Sequence, residues 1–257
     1  MGDKLLEREI NCPRDKLLEK GRDGMKKTKM KTGKRLYINI TNRCNTDCPF
    51  CCMYSGRSNK RDMDFETYKK IIDGCGREFE LQLEGGEPLL HPDLYLFMEY
   101  ARSTERCRKI LILTNGFLLE EHMKRLVMFA GYYHMALEIK ASINYWLIRE
   151  NKEHLERIRY LLFSTEFIPE ITMVCNVRLR NQGDEGLKRE IEEDGLLSKY
   201  SNIYYLQSYG KLSEDSTYEK PVIVQNIEEF ELYASDGTSF GMDLIARSEY
   251  EKEVREK

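Results

Sequence analysis

Four of the eight cysteines of this chain lie within nine residues, at Cys44, Cys48, Cys51 and Cys52. The first three form a C-x3-C-x2-C pattern in the segment TNRCNTDCPFCC. Three thiolates on one tight loop can bind three irons of a cubane iron–sulfur cluster, so that the fourth iron has no protein ligand from that loop. Such an open coordination position is what a small chelating ligand needs.

Other interpretations of the same cysteines stay open. Cys48 and Cys51 alone form a C-x-x-C pair, which is typical of a redox dithiol. A zinc site would need a second cysteine pair or paired histidines at knuckle spacing, whereas the four histidines are scattered. Cys52 offers an alternative C-x3-C-x3-C set, although Cys51 is preferred. The dispersed cysteines are interpreted as small buried hydrophobes at Cys12, Cys75, Cys107 and Cys175.

The second chemical feature is the segment LEGGEPLLHPDL at 83–94, which follows an apolar stretch. Adjacent Gly85 and Gly86 allow close approach of the backbone to a ligand or a positive φ. Their amides and carbonyls could hydrogen-bond the ends of an amino acid. A plain tight turn explains the two glycines by themselves, but it explains Glu87 and Pro88 less well.

Both features follow stretches that are expected to be strands. Strands are predicted at 35–41, 79–84, 109–114, 135–142, 170–177 and 202–208, and helices at 64–74, 92–102, 118–130, 147–163 and 184–197. Six strand–helix units imply a parallel sheet, two units short of a closed eight-fold barrel. The fold class is therefore expected to be α/β, a partial (β/α)6 TIM-like barrel with its chemistry at the carboxyl ends of the strands.

The chain is divided into three parts on the same pattern. Residues 1–34 are a charged N-terminal extension, 35–210 the partial barrel, and 211–257 a C-terminal capping segment. In the last part, 222–225, 230–234 and 239–246 are predicted as a few antiparallel strands around an Asp236-Gly237 turn.

TNRCNTDCPFC, followed about 34 residues later by GGEP, resembles the radical S-adenosylmethionine (SAM) superfamily. The resemblance covers roughly residues 35–210. It is closest to the group that contains peptide-modifying maturases and the molybdenum-cofactor enzyme. It implies that Cys44, Cys48 and Cys51 hold one [4Fe–4S] cluster and that SAM binds the open iron through its amino and carboxylate groups.

The resemblance also implies roles for residues around SAM. Phe50 would border the adenine, and Gly85, Gly86, Glu87 and Pro88 would receive the methionine amino group. Thr114-Asn115-Gly116 resembles a TNG segment that lies near SAM. Ser142 and Asn144 would meet the ribose or carboxylate, although an ordinary strand-to-helix cap explains these two equally well.

The implied function is reductive cleavage of SAM to a 5′-deoxyadenosyl radical, which takes hydrogen from a peptide or small-molecule substrate. An external electron donor of the flavodoxin or ferredoxin type is expected. Side chains expected to face substrate are Lys140, Asn176, Arg178, Gln207 and Tyr209. With no cysteine after Cys175, an auxiliary cluster is not expected.

Two other function classes remain. One is an activase for a glycyl-radical enzyme, which Arg43 disfavours because activases usually have glycine directly before the first cluster cysteine. The other is a non-catalytic iron–sulfur electron-transfer or binding protein, which the intact GGEP segment disfavours.

Composition sets the wider expectations. The 257 residues are 41% hydrophobic and 33% charged, without an apolar run near the ~18 residues of a membrane span. The first twenty residues lack a signal-peptide stretch, so a cytoplasmic protein without a membrane partner is expected. A basic run at 26–35 keeps nucleic acid open as a partner, although a solvated surface segment is the simpler interpretation.

Overall fold

A computed structural model describes residues 31–221 and 227–255. The strands are β1 (Lys31–Thr41), β2 (Phe79–Gly85), β3 (Cys107–Thr114), β4 (Leu137–Asn144), β5 (Ile171–Leu179), β6 (Ser201–Tyr205) and β7 (Ile227–Tyr233). The helices are α1 (Phe65–Gly74), α2 (Leu94–Ser103), α3 (Leu119–Tyr133), α4 (Tyr145–Glu150), α5 (His154–Thr165), α6 (Glu185–Glu193), α7 (Gly195–Tyr200) and α8 (Leu244–Arg255).

The strands form one sheet in the order β6-β5-β4-β3-β2-β1-β7, and each neighbouring pair is parallel. Side chains alternate across this sheet because successive Cβ atoms point to opposite faces. In β5, for example, Met173, Cys175 and Val177 are buried against the helices, so Asn176 and Arg178 lie on the opposite, concave face. The expected α/β partial barrel is confirmed.

The antiparallel pairing expected around the Asp236-Gly237 turn is present as a short bridge between Tyr233 and Ser239. The strand β7 also lies parallel to β1 at the edge of the sheet, a placement that was not expected. The cause is burial, since Phe230 and Leu232 pack on Tyr37 of β1. The chain does turn at Gly237, whose φ is +87°, and the Leu232 amide then bonds the Gly241 carbonyl at 2.8 Å.

The strand predicted at 239–246 is wrong beyond this short bridge, because α8 begins at Leu244. The strand predicted at 222–225 and residues 1–30 of the N-terminal extension, with the first half of the basic run, lie outside the described residues.

Two predicted helices are each divided in two. The helix predicted at 147–163 is α4 and α5, separated where Asn151 takes an extended conformation. The helix predicted at 184–197 is α6 and α7, separated at Asp194, whose carboxylate accepts bonds from the amides of Leu196 and Leu197 at 2.9 and 2.7 Å. A side-chain cap of this kind starts a new helix at the residue that follows.

The C-terminal helix α8 lies over the carboxyl ends of β1 and β2, on the concave side. Its Glu251 is fully buried and accepts bonds from Asn39 and Asn42, both at 2.6 Å, and from Arg61 at 3.0 Å. This carboxylate fixes α8 to the segment that leads into the cysteine loop. Within residues 31–221 and 227–255, no helix is long and apolar enough to cross a membrane.

Candidate active site

The cysteine loop begins directly after β1. It is held at its start by a bond from the Cys44 amide to the Gly56 carbonyl at 3.2 Å, and it turns tightly where the Cys51 amide meets the Cys48 carbonyl at 3.2 Å. Cys44, Cys48 and Cys51 are free thiols and are all half-buried. The loop therefore presents three thiols at the carboxyl edge of the sheet.

The surroundings of these thiols fit an iron–sulfur cluster. Burial, reinforced by neighbouring charges, raises the pKa of Cys44 well above its usual range, and burial raises the pKa of Cys48 to about 12. Thiolates in this environment need a compensating cation, which bound iron would supply. Asn115 Nδ2 and Thr46 Oγ1 each lie 3.7 Å from a cysteine sulfur, in the manner of the hydrogen bonds that tune such clusters.

Among the described residues, no three side chains of His, Cys, Asp or Glu converge on one metal position.

Cys52 is held differently from its neighbour Cys51. Its thiol is hydrogen-bonded with Tyr209, its carbonyl accepts a bond from Ser248 Oγ at 2.6 Å, and burial raises its pKa to about 11. The Cα of Cys52 also packs against Gly210, where an added Cβ would lie only 2.4 Å away. The thiol, the carbonyl and the Cα of Cys52 thus all have partners within the protein.

The glycine pair of the GGEP segment allows a close approach to the cysteine loop. The Gly86 amide bonds the Thr41 carbonyl at 2.7 Å, and the Glu87 amide bonds the Arg43 carbonyl at 2.8 Å. A Cβ added at Gly85 or Gly86 would lie 2.2 Å from one of those two carbonyl oxygens. Since these amides are occupied within the protein, the segment can offer a ligand its carbonyl oxygens, which suit an ammonium donor.

Glu87 connects the end of β2 to the end of β3. Its fully buried carboxylate accepts bonds from Leu89 N at 3.0 Å, Thr114 Oγ1 at 2.9 Å and Asn115 N at 2.7 Å. Burial raises the pKa of Glu87 to about 7 against these hydrogen bonds. The side chain of Glu87 therefore orients Asn115, which in turn donates to Asn45 of the cysteine loop at 2.6 Å.

The remaining predicted site residues lie around the same edge. The Phe50 ring lies 5.7 Å from the ring of Tyr145 at the start of α4. Asn144 caps α4 with its Oδ1, which accepts hydrogen bonds from Trp146 N and Leu147 N at 3.0 Å. This oxygen therefore acts as the strand-to-helix cap that was the alternative explanation for Asn144. The Ser142 carbonyl lies 3.0 Å from Nε2 of the buried His154. Pro88 begins a short 3-10 turn at Pro88–Leu90 and is buried.

With this geometry in hand, residues 38–162 match the family model described as the Radical SAM superfamily. The chain carries a radical SAM domain. The match begins in β1 and ends in α5, so it includes the cysteine loop, the GGEP segment and the Thr114–Asn115 corner.

Relatives of this radical SAM domain act on different molecules. The chain is 32% identical over 194 residues to the PqqA peptide cyclase of Granulibacter bethesdensis, an alignment that covers 68% of this chain and 48% of that protein. It is 37% identical over 100 residues to the GTP 3',8-cyclase of Aquifex aeolicus, covering 36% and 31%. The chain therefore spans less than half the length of these curated relatives.

Among solved structures, the chain is similar in fold to Streptococcus suis SuiB bound to the precursor peptide SuiA. The TM-score is 0.51 at 13% sequence identity, and the alignment covers 84% of this chain and 50% of SuiB.

Sequence reasoning missed the contacts that come from outside the family match. Lys211 donates through its amide to the Cys51 carbonyl at 3.3 Å and through Nζ to the Cys48 carbonyl at 3.2 Å. Ser248 and Glu251 of α8 brace the same region. No motif marks these residues, because their partners lie some 160 to 210 positions away in sequence.

Proposed function

We propose that this protein is a radical SAM enzyme whose [4Fe–4S] cluster is bound by Cys44, Cys48 and Cys51. The observation that carries the proposal is the junction at the carboxyl edge, where Glu87 and Asn115 tie the GGEP segment and the end of β3 to the cysteine loop. Three separate strand ends thereby surround one position, which is where a parallel barrel carries its chemistry.

A [4Fe–4S] cluster held by Cys44, Cys48 and Cys51 would supply the one-electron chemistry for cleavage of bound SAM to methionine and a 5′-deoxyadenosyl radical that takes hydrogen from substrate. The residues of the chain position the reacting groups and exclude water. The carbonyls of Gly85 and Gly86 face the amino group of SAM in this proposal, Phe50 borders its adenine, and Asn115, Ser142 and Asn144 line the remaining wall. An external flavodoxin-type or ferredoxin-type protein supplies the electron.

The substrate class in this proposal is a peptide or a small molecule. The peptide option is supported by the longest of the reported alignments, that to the PqqA peptide cyclase. The small-molecule option is supported by the alignment to the GTP 3',8-cyclase.

The test is anaerobic reconstitution with iron and sulfide, reduction with dithionite, addition of SAM and chromatography for 5′-deoxyadenosine. Cys51→Ala and Cys52→Ala form a matched pair, because the two thiols are neighbours with different surroundings. We expect wild type and Cys52→Ala to form 5′-deoxyadenosine and Cys51→Ala to form none. Loss in the Cys52 variant with retention in the Cys51 variant would assign the third ligand to Cys52 instead.

A wild-type protein that binds the cluster, but cleaves no SAM even with candidate peptides and nucleotides present, would favour the non-catalytic iron–sulfur alternative. Iron analysis distinguishes the number of clusters, since about four irons per chain are expected for one cluster and about eight for two.

A further inference from the structure

The concave face of the sheet carries three ion pairs, which lie either close to the cysteine loop or further toward the amino ends of the strands. Arg35 Nε bonds Glu80 at 2.9 Å, Lys109 pairs with Glu138, and Arg247 of α8 pairs with Glu84 at 2.7 Å. Each of the three glutamates of β2 and β4, which lie on the face of the sheet away from the helices, is therefore paired with a cation.

Two cations of the same face are not neutralised in this way. Lys140 Nζ bonds the neutral Gln82 at 3.0 Å, and its nearest carboxylate, Glu138 at 3.8 Å, already pairs with Lys109. Arg178, at the carboxyl end of β5, lies over the ring of Tyr204 at 4.5 Å. Across residues 31–221 and 227–255, no carboxylate lies within 4.0 Å of the Arg178 guanidinium.

Arg247 is also incompletely satisfied although it is only 3% exposed. Its Nε and Nη1 have no hydrogen-bond partner within the described part of the chain, and the contact of Nη1 with Glu84 is an ion pair outside hydrogen-bond geometry. A buried guanidinium with unused donors is costly unless another acceptor completes it.

Tyr209 links the two arginines to the cysteine loop. Its phenol is hydrogen-bonded with the Cys52 thiol and interacts electrostatically with both Arg178 and Arg247. The chain neighbours of Tyr209 and Arg247 also meet at Cys52, because Gly210 packs on its Cα and Ser248 Oγ bonds its carbonyl at 2.6 Å. Among the described residues, Glu84 is the one carboxylate that forms an ion pair with either arginine. The local charge is positive although the whole chain has a formal net charge of −3.

We propose that Arg178, Arg247 and Tyr209 form an anion site that binds a carboxylate or phosphate group of the substrate next to the cluster. Guanidinium groups present donors in a fixed fork that matches both of these anions. Such an anchor would hold the reacting part of the substrate in one orientation toward the SAM position. The inference rests on the proposed radical SAM function and names the substrate class for it: a peptide carboxylate, an organic acid or a phosphate ester.

The test is calorimetric titration of the iron-loaded, oxidised protein, saturated with SAM, with inorganic phosphate and separately with acetate. Sodium chloride at matched ionic strength serves as the reference. We expect at least one of the two anions to bind wild type in the millimolar range. Arg178→Met should weaken this binding at least tenfold, with Arg178→Lys in between. The anion that binds more tightly, phosphate or acetate, indicates whether the substrate is a phosphate ester or a carboxylate.

Two further variants make the test specific. Arg125→Met is the matched control, because Arg125 also lies over a tyrosine ring, that of Tyr95 at 3.6 Å, but on the outer helix α3. It should leave anion binding unchanged. Glu84→Gln should strengthen anion binding several-fold, since it removes the carboxylate that competes for Arg247. A merely structural role of these residues does not predict an increase.

Three results would overturn the anion site. These are no binding of either anion to wild type, equal binding to Arg178→Met, and a loss of SAM binding in Arg178→Met with SAM as the only titrant. The last would assign the arginine to the carboxylate of SAM. The heats of anion binding are measured on the oxidised protein, so this test does not depend on SAM cleavage. A protein that binds anions but does not cleave SAM would therefore count against the proposed function alone.

Discussion

At the scale of single residues, a residue from the C-terminal segment holds the cysteine loop by donating hydrogen bonds to two of its backbone carbonyls. Lys211 is central, because its amide and its ammonium bond the carbonyls of Cys51 and Cys48. Its charge also acts on the Cys48 thiol, whose pKa it lowers against the larger effect of burial. A cation at this distance should stabilise the more negative, reduced form of a bound cluster.

Lys211→Met should therefore lower the reduction potential of the cluster, by something on the order of 50 mV, close to the 59 mV that corresponds to a tenfold change for one electron. Potentiometric titration followed by electron paramagnetic resonance measures this shift. Lys211→Arg keeps the charge and should stay near wild type.

Lys60→Met is the control, because Lys60 is an exposed lysine close in sequence to the same loop, and solvent and salt screen its charge. An equal potential in Lys211→Met and Lys211→Arg would show that the lysine only holds the loop in place.

At the scale of elements, α8 closes the carboxyl ends of β1 and β2 through the buried Glu251. Removing one partner of a buried, hydrogen-bonded charge costs about 3 kcal/mol or more, since the remaining groups lose their partner without regaining water. Glu251→Ala should therefore release α8 from Asn39, Asn42 and Arg61. We expect faster amide hydrogen exchange in α8 and a melting temperature lower by several degrees.

Glu253→Ala, on the exposed side of the same helix, should change neither measurement appreciably. If both variants behave alike, the contact of Glu251 is not what holds α8 on the sheet.

The sequence predicted elements well where periodicity and turn chemistry act locally. The six strands follow from short apolar runs bounded by turn residues, and the glycine pair predicted a close approach of the backbone. That approach is to the chain itself, because a Cβ added at Gly86 would lie 2.2 Å from the Arg43 carbonyl oxygen. The parallel placement of β7 could not be predicted, because it depends on the pairing of Phe230 with Tyr37 across almost two hundred residues. The same holds for Glu251, whose role follows only from its partners in β1.

At the scale of the whole molecule, the family match ends at residue 162, but the cysteine loop is completed by residues far beyond it. Tyr209 and Lys211 follow β6, and Arg247 and Glu251 come from α8. Residues outside the family match thus also cover the concave face. Specificity for substrate is expected to reside in this part and in the charges that face it.

The buried ammonium group of Lys140 on the concave face should make the free energy of unfolding of the whole protein depend on pH. Burial lowers the pKa of Lys140 to about 8 from its ordinary value of 10.5, and the charges of Arg35 and Lys109 act in the same direction. The opposing charges are Glu138 and Glu84, and the nearest neutral partner is Gln82. The native protein thus releases this proton at a lower pH than the unfolded chain.

Between pH 8 and 10.5 the unfolded state binds more protons at Lys140, so the free energy of unfolding should rise with pH across this window. Below pH 8 the cost of the buried charge is constant. The full gain is about 3 kcal/mol, from 1.36 kcal/mol for each pKa unit. The measurement is the melting temperature of wild type and Lys140→Met at pH 7.5 and pH 10. Wild type should gain relative to the variant as the pH rises, whereas Lys60→Met should keep a constant offset from wild type. A constant offset for Lys140→Met as well would show that water reaches the Lys140 ammonium, and that the concave face is open to solvent at this depth.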